Sequence, residues 1–283
     1  MGPEVVVRAE AETGEGPVWD YRTGELVWVD IPAGILHRSD VSSGRDTAMN
    51  IGMMLGAVAL AGATSWAAAV EDGFGIIDSS GHLDLIDQVI PDPGLRMNDA
   101  ACDSHGRMWA GSFVKAVEKG QGRLHRWEHG QPSLVVVDGL TLPNGIAWSL
   151  DDTEMYFVDS KQGAVFGYEF DLDAGHVGAR RVLAEIPAGL GDPDGLCVDA
   201  DDCLWLAVWG GSQLRRYDPR GRLLQTVEFP VAQPSCCAFG PDTTLYVTSA
   251  WEGLAAGDRQ PLAGSVFALD ARVRGAPVGV FRS

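Results

Sequence analysis

The sequence predicts an all-β protein, a six-bladed β-propeller made of four-stranded antiparallel blades. Glycine is abundant, with 36 residues among 283, and apolar residues rarely recur with a helical period. Segments of similar pattern return at intervals of roughly 40–50 residues, which is the length of one propeller blade. This interval divides the chain into about six blades. We therefore expect residues 1–283 to form a single propeller domain.

The first strand of each blade is predicted in a six-residue segment with a small apolar core. Five of these segments line up, and most begin with a polar residue: 15–20, 98–103, 144–149, 194–199 and 235–240. A sixth, LGAVAL at 55–60, fits the same register with an apolar first residue. The second strands follow a turn and are rich in aromatic and β-branched residues: 25–30, 65–70, 107–112, 154–160, 203–209 and 244–250.

Third strands follow, each near a glycine, and the outer fourth strands have the least distinct pattern, as expected of edges with one wet face. The apolar run at 3–10 is predicted to pair with the last blade and close the ring. The run APVGVF at 276–281 is the other candidate for the outermost strand at that closure, and the sequence leaves the choice open.

The net charge of −18 disfavours binding to nucleic acid or to anionic membranes, because both need clustered lysine and arginine. The amino terminus has no basic region followed by an apolar stretch, so we expect a cytoplasmic protein without a secretory signal. Residues 53–70 are apolar enough to resemble a membrane span. A turn-like GATS cluster at their centre favours two buried strands instead.

Five cysteines lie within or beside the apolar strand patterns: Cys102, Cys197, Cys203, Cys236 and Cys237. An odd number with one adjacent pair does not indicate a disulfide framework. Reduced, buried thiols are the expected state.

Four polar residues occupy the same repeat position in different blades: Glu15, Asn98, Asn144 and Asp194. First strands line the central channel of a propeller, so these side chains should converge at one end of it. Two carboxylates and an amide oxygen, from Glu15, Asp194 and Asn144, suit a hard cation such as Ca²⁺, Mg²⁺ or Mn²⁺. No histidine holds an equivalent position, which makes a histidine-rich zinc site unexpected.

The segments after the second strands should wall this end of the channel: 112–122, 159–162, 209–211 and 249–251. Trp209 is a candidate apolar wall for a ligand, although a tryptophan in a strand more often belongs to the core.

The chain resembles the SMP-30/gluconolactonase/luciferin-regenerating-enzyme family in five segments that span nearly its whole length: 14–20, 96–112, 142–160, 192–211 and 234–240. The resemblance implies a six-bladed propeller with one divalent metal in the channel. The metal ligands of the family fall on Glu15, Asn144 and Asp194. Its substrate-binding residues fall on Arg96 and Asn98. Ca²⁺ is the first expectation for the metal, with Zn²⁺, Mg²⁺, Mn²⁺ and Fe²⁺ as alternatives.

One loop departs from the family pattern. Many sugar lactonases of the family carry an acidic residue after the second strand of the third blade. Here the segment 112–122 places Lys115 and Ala116 in that region, with Glu118 slightly later. The identity of the substrate therefore stays open.

The resulting hypothesis is a metal-dependent lactonase that opens a sugar-derived lactone to its acid. The metal would polarise the lactone carbonyl, and Asp194 would act as the general base. Two alternatives remain: a metal-dependent hydrolase of other esters or organophosphates, and a noncatalytic binding propeller. The expected partner is a small-molecule lactone, and the expected assembly is a monomer or a small homo-oligomer.

Overall fold

The computed structural model describes residues 2–282, and their strands form six four-stranded antiparallel sheets. Blade 1 comprises strands β2 to β5, at Gly14–Asp20, Glu25–Asp30, Ile35–Asp40 and Arg45–Asn50. Blade 2 comprises β6 to β9, at Leu55–Ala61, Ser65–Val70, Gly73–Ile77 and Leu83–Gln88. Blade 3 comprises β10 to β13, at Leu95–Cys102, Met108–Val114, Gly122–Trp127 and Leu134–Leu140.

Blade 4 comprises β14 to β17, at Pro143–Trp148, Glu154–Asp159, Ala164–Asp171 and His176–Glu185. Blade 5 comprises β18 to β21, at Asp192–Val198, Leu204–Trp209, Gln213–Tyr217 and Leu223–Glu228. Blade 6 comprises β22 to β24 and the amino-terminal strand β1, at Gln233–Phe239, Thr244–Ala250, Val266–Asp270 and Glu4–Val7. The predicted six-bladed antiparallel propeller is confirmed.

The amino-terminal strand closes the ring. β1 pairs antiparallel with β24, placing Glu4 opposite Ala268, and it is the outermost strand of blade 6. The run at 276–281 belongs to none of the six sheets. The predicted closure by the amino terminus is therefore confirmed. The outermost strand of blade 6 is β1 and not the run at 276–281.

The end of the chain instead crosses one mouth of the channel as an irregular segment, residues 275–282, which we call the C-terminal strap. The Ala276 amide donates a hydrogen bond to the Val198 carbonyl in blade 5, at 3.0 Å. The Phe281 amide donates to the Leu60 carbonyl in blade 2, at 2.8 Å. Blades 2 and 5 face each other across a six-membered ring, so the strap spans its diameter. A cavity of about 660 Å³, the lower cavity, lies between the strap and the first strands.

An aromatic stack anchors the far end of the strap. Phe281 is only 2% exposed, and its ring stacks on Trp127 with centroids 4.5 Å apart. Trp127 stacks in turn on Phe74, at 5.3 Å. Because aromatic side chains bury a large apolar area, this end of the strap is part of the hydrophobic core.

Buried aspartates at the ends of first strands reinforce the blades. Asp199 is fully buried and accepts a hydrogen bond from Trp205 Nε1 at 2.9 Å and another from Arg216 Nε at 2.8 Å. Asp103 accepts from Trp109 Nε1 in the same way, at 2.8 Å. The tryptophan belongs to the second strand of the blade, so the carboxylate ties the first two strands together.

The apolar stretch at 53–70 forms the buried strands β6 and β7, joined by a turn, as the sequence indicated. Within residues 2–282 no helix has the length and apolar character needed to cross a lipid bilayer.

Candidate functional site

A bulge at the start of every first strand gives the predicted site its geometry. In each blade the pairing with the second strand shifts register near the first residue of the repeat: Glu15/Val18, Leu55/Ala57, Met97/Ala100, Pro143/Ile146, Pro193/Leu196 and Pro234/Cys237. Bulged residues leave the strand ladder and re-aim their side chains. Asn98, Asn144 and Asp194 lie inside these bulges.

Five predicted site residues line one cavity of about 480 Å³, the upper cavity: Glu15, Arg96, Asn98, Asn144 and Asp194. They come from the first strands of blades 1, 3, 4 and 5, and the pseudosymmetry of the ring brings them to the same mouth. The C-terminal strap lines the other cavity.

Asn98 is the centre of a hydrogen-bond network in this mouth. Its Nδ2 donates to Asn144 Oδ1 at 3.0 Å and to the Pro143 carbonyl at 2.9 Å. Arg96 Nη1 donates to Asn98 Oδ1 at 2.8 Å. The structure thus joins both predicted substrate-binding residues to one predicted metal ligand.

The Asn144 amide is held from both sides. Its Nδ2 donates to Ser160 Oγ at 3.0 Å, and this fixes the direction of the Oδ1 atom. An amide oxygen has two acceptor positions, and Asn98 occupies one of them. The other position is available to a cation.

The two carboxylates of the site are buried, and neither forms an ion pair within residues 2–282. Glu15 is 5% exposed and Asp194 is 4% exposed. Burial raises the pKa of Glu15 to about 8, and the nearby charge of Asp99 adds to the effect. Burial and the charges of Glu15 and Asp99 also raise the pKa of Asp194 well above its usual range. Buried carboxylates of this kind need either a proton or a cation.

The donor chemistry of these residues fits a hard divalent cation. Glu15 and Asp194 supply carboxylate oxygens, and Asn144 supplies an amide oxygen. No hydrogen bond to the Asp194 carboxylate is formed within residues 2–282, although the Glu15 carboxylate accepts one from the Gly16 amide at 2.8 Å. Over the same described residues, no three His, Cys, Asp or Glu side chains cluster in a way that could hold a metal. The amide oxygen is thus an essential member of the candidate set.

Arg96 supplies a cationic charge that acts on the Glu15 carboxylate. Its guanidinium lies 4.6 Å from the centre of the Phe113 ring. Burial lowers its pKa to about 10, while the carboxylates of Glu252 and Glu15 act in the opposite direction. Arg96 therefore stays charged at neutral pH and can donate hydrogen bonds to a bound molecule.

The walls of the upper cavity come from the segments that follow the second strands. Phe113 and Lys115 of the predicted segment 112–122 line the cavity, and so does Trp209 of the predicted segment 209–211. No residue of the fourth predicted segment, 249–251, lines this cavity, and the wall there is formed by the next two residues, Glu252 and Gly253. Trp209 is thus positioned where a ligand in the upper cavity can contact it.

Ion pairs on this wall are features that the sequence did not reveal. Lys115, in the loop that departs from the family pattern, pairs with Glu71 from blade 2. Lys161 pairs with Asp192 at 2.6 Å. Glu118 is absent from the lining of the upper cavity. The pairing partners are far apart in sequence, so only the ring geometry identifies them.

None of the six histidines lines either cavity. His125, for example, lies on the third strand of blade 3, where its ring hydrogen-bonds to Ser112 at 2.8 Å. The upper cavity therefore offers oxygen ligands and no imidazole.

Residues 13–251 match the family model described as the SMP-30/Gluconolactonase/LRE-like region. Regucalcin of Xenopus laevis is 32% identical over 278 residues, covering 94% of this chain and 93% of that protein. The 6-deoxy-6-sulfogluconolactonase of Pseudomonas putida is 32% identical over 283 residues, covering 98% and 97%.

Among solved structures, the calcium-binding protein regucalcin of Agrobacterium tumefaciens superposes with a TM-score of 0.94. It is 30% identical and covers 100% of this chain and 98% of its own. Likeness of sequence and of fold thus extends over the whole propeller.

Proposed function

This chain belongs to the SMP-30/gluconolactonase/LRE-like family, and from this premise we propose that it hydrolyses a sugar-derived lactone to the open-chain acid with one bound divalent cation. The observation that carries the proposal is the pair of buried carboxylates, Glu15 and Asp194, beside the Asn144 amide in the upper cavity. The similarity to a named lactonase over nearly the full length supports the same reaction.

We propose Glu15, Asn144 and Asp194 as the residues that hold the cation. Ca²⁺ is the first candidate, because the ligands are all oxygen and the Agrobacterium relative is described as calcium-binding. Zn²⁺, Mg²⁺, Mn²⁺ and Fe²⁺ are alternatives that an oxygen site also accepts. A bound divalent cation would polarise the lactone carbonyl and stabilise negative charge on its oxygen.

Asp194 is proposed as the general base. Its carboxylate reaches the upper cavity without a hydrogen bond from the described residues, so an oxygen is available to take a proton from an attacking water molecule. Transfer of that proton accompanies the formation of the bond between water and the lactone carbonyl carbon. The bond between the carbonyl carbon and the ring oxygen then breaks, Asp194 returns the proton to that oxygen, and the open-chain acid is formed.

Arg96 and Asn98 are proposed to orient the lactone. Their fixed hydrogen bond places a charged guanidinium and a side-chain amide on one wall of the cavity. The guanidinium can donate hydrogen bonds to ring hydroxyls. Both Nδ2 protons of Asn98 are already used, so its Oδ1 can accept from a ring hydroxyl, and the pair limits the orientations in which the substrate binds. Trp209 lies on another wall and can cover an apolar face of the sugar.

The experiment that tests this function is an acid-release assay over glucono-, galactono-, xylono- and arabinono-lactones, together with simple esters. The protein is first stripped with a chelator and then refilled with a single divalent ion. We expect hydrolysis of at least one lactone, loss of activity in the stripped protein and its return on refilling. A flat response across the panel would reject the hydrolase and favour a binding propeller.

The variant Asp194→Ala sharpens the test. We expect it to lose at least about 100-fold in kcat, because it removes the proposed base and a cation ligand together. Asp201→Ala is the matched control in the same blade, since the Asp201 side chain is 66% exposed and far from the cavity lining. Unchanged lactone hydrolysis in folded Asp194→Ala protein would contradict the assigned role.

A further inference from the structure

Two cysteines of neighbouring blades meet below the upper cavity. Cys197 lies on β18 of blade 5, Cys237 lies on β22 of blade 6, and their Sγ atoms are 3.5 Å apart. Both residues line the lower cavity, on the side that the C-terminal strap covers. All five cysteines are free thiols, and only Cys197 is half-buried rather than buried.

Hydrogen bonding fixes the direction of this pair. The Cys237 thiol donates to the Trp205 carbonyl at 3.3 Å. A thiol has one proton, so the contact between the two sulfurs uses the proton of Cys197. The Cys197 thiol is therefore aimed directly at the sulfur of Cys237.

The two sulfurs are in contact but not bonded. A disulfide has an S–S length of about 2.05 Å, so the two sulfurs must approach by roughly 1.5 Å. The first strands of blades 5 and 6 already pack side by side, with Cys237 inside one apolar cluster and Cys197 packed against it. We expect rotation of the two side chains to close the remaining gap.

We propose that Cys197 and Cys237 form an oxidative modification site, at which a hydroperoxide small enough to enter the lower cavity converts the two thiols to a disulfide between blades 5 and 6. The site rests on the geometry of the sulfurs, and it is independent of the proposed lactonase reaction.

The chemistry balances with hydrogen peroxide as the oxidant. The sulfur of Cys197, after loss of its proton, attacks one peroxide oxygen, the O–O bond breaks, and a water molecule leaves after protonation. The resulting sulfenic acid of Cys197 is attacked by the sulfur of Cys237. The S–S bond forms as the S–O bond breaks, and the departing hydroxide takes the Cys237 proton as a second water. Two thiols are oxidised and one peroxide is reduced.

Exposure decides which sulfur reacts first. Cys237 is 2% exposed, and burial raises the pKa of its thiol well above the usual range. Cys197 is more accessible from the lower cavity and is already oriented toward its partner. Cys102 lines the same cavity but forms no thiol–thiol contact like that of Cys197 and Cys237. Cys102 is therefore the natural control.

The test treats the full-length protein with hydrogen peroxide and then measures intact mass, free thiols after unfolding, and peptide connectivity. We expect a loss of mass equal to two hydrogens, a fall from five free thiols to three, and a cross-link between Cys197 and Cys237. A thiol reductant should restore all five. Persistence of five thiols, or only oxygen adducts on single cysteines, would overturn the proposal.

Matched variants assign the bond. Cys197→Ser and Cys237→Ser should each abolish the cross-link, whereas Cys102→Ser and Cys236→Ser should form it as the native protein does. A disulfide that joins Cys197 to Cys236, or one that survives in Cys237→Ser, would contradict the assignment. Peptide mapping of the native chain gives the same answer without any variant, so the result does not depend on how well a variant folds.

Discussion

Burial changes the chemistry of individual carboxyl groups in the channel. Glu15 has an ordinary pKa of 4.5 and reaches about 8 in the folded protein, mainly because it is removed from water. Asp99, which lines the lower cavity, reaches about 6 for the same reason. The channel thus concentrates acids that are hard to ionise unless a cation compensates them.

The pKa of Glu15 predicts how the cation-free protein responds to pH. A raised folded-state pKa means that the folded chain holds this proton more tightly than the unfolded chain. The associated stability is present below about pH 4.5 and is lost as pH rises through about 8. Its size is at most about 1.4 kcal/mol per pH unit of the shift.

We therefore expect the Tm of chelator-treated protein to fall between pH 5 and pH 9, and the slope to be smaller in Glu15→Gln. Adding a divalent cation at pH 9 should raise the Tm of the native protein and have less effect on the variant. Equal slopes for the two proteins would show that Glu15 is not the titrating group.

Buried aspartates at the strand ends give a second prediction for single residues. Asp199→Ala removes the acceptor of Trp205 Nε1 and leaves Arg216 without its buried partner. We expect a loss of about 3 kcal/mol or more in the free energy of unfolding, measured by chemical denaturation. Asp201→Ala removes the exposed partner of the same arginine, and it should cost less than about 1 kcal/mol. Similar losses in the two variants would contradict this role of burial.

At the scale of elements, strand positions follow closely from the sequence, whereas contacts between blades do not. Runs such as 25–30 and 244–250 match β3 and β23, because aromatic and β-branched residues mark buried strands at short range. The bulges that aim Asn98 and Asp194 have no comparable local signal.

The same limit applies to the candidate site. Glu15, Asn144 and Asp194 could be selected because they share a repeat position, and the structure places all three on the upper cavity. Glu71 could be connected with the site only through its ion pair with Lys115, which the structure shows. A residue that acts through a partner in another blade leaves no pattern in its own segment.

The C-terminal strap illustrates this point and gives a prediction. Its apolar run has the composition of a strand, yet it crosses the lower mouth and inserts Phe281 beside Trp127. Phe281→Ala should reduce the free energy of unfolding by about 3–5 kcal/mol, as for other large side chains removed from a core. Val278→Ala, in the same strap but 60% exposed, should be nearly neutral. Equal effects in denaturant titrations would show that the strap is not anchored by Phe281.

At the scale of the whole molecule, closure of the ring depends on the pairing of β1 with β24. A chain that lacks residues 2–7 would leave β24 as an unpaired edge, and such edges recruit other chains. We expect this truncation to lower the Tm and to produce soluble oligomers or aggregates in size-exclusion chromatography. Removal of residues 2–3 alone, which precede the strand, should leave a protein with the native elution volume and Tm.

Closure by β1 also bears on how the protein is made. Glu4 leaves the ribosome before every first strand of the six blades, whereas its partner Ala268 follows all of them. The early blades can assemble during synthesis, but the sixth must wait until β24 has been made. Contacts so distant in sequence slow folding. We therefore expect nascent chains to be exposed to chaperones and proteases for longest in the state in which β1 has not yet paired with β24.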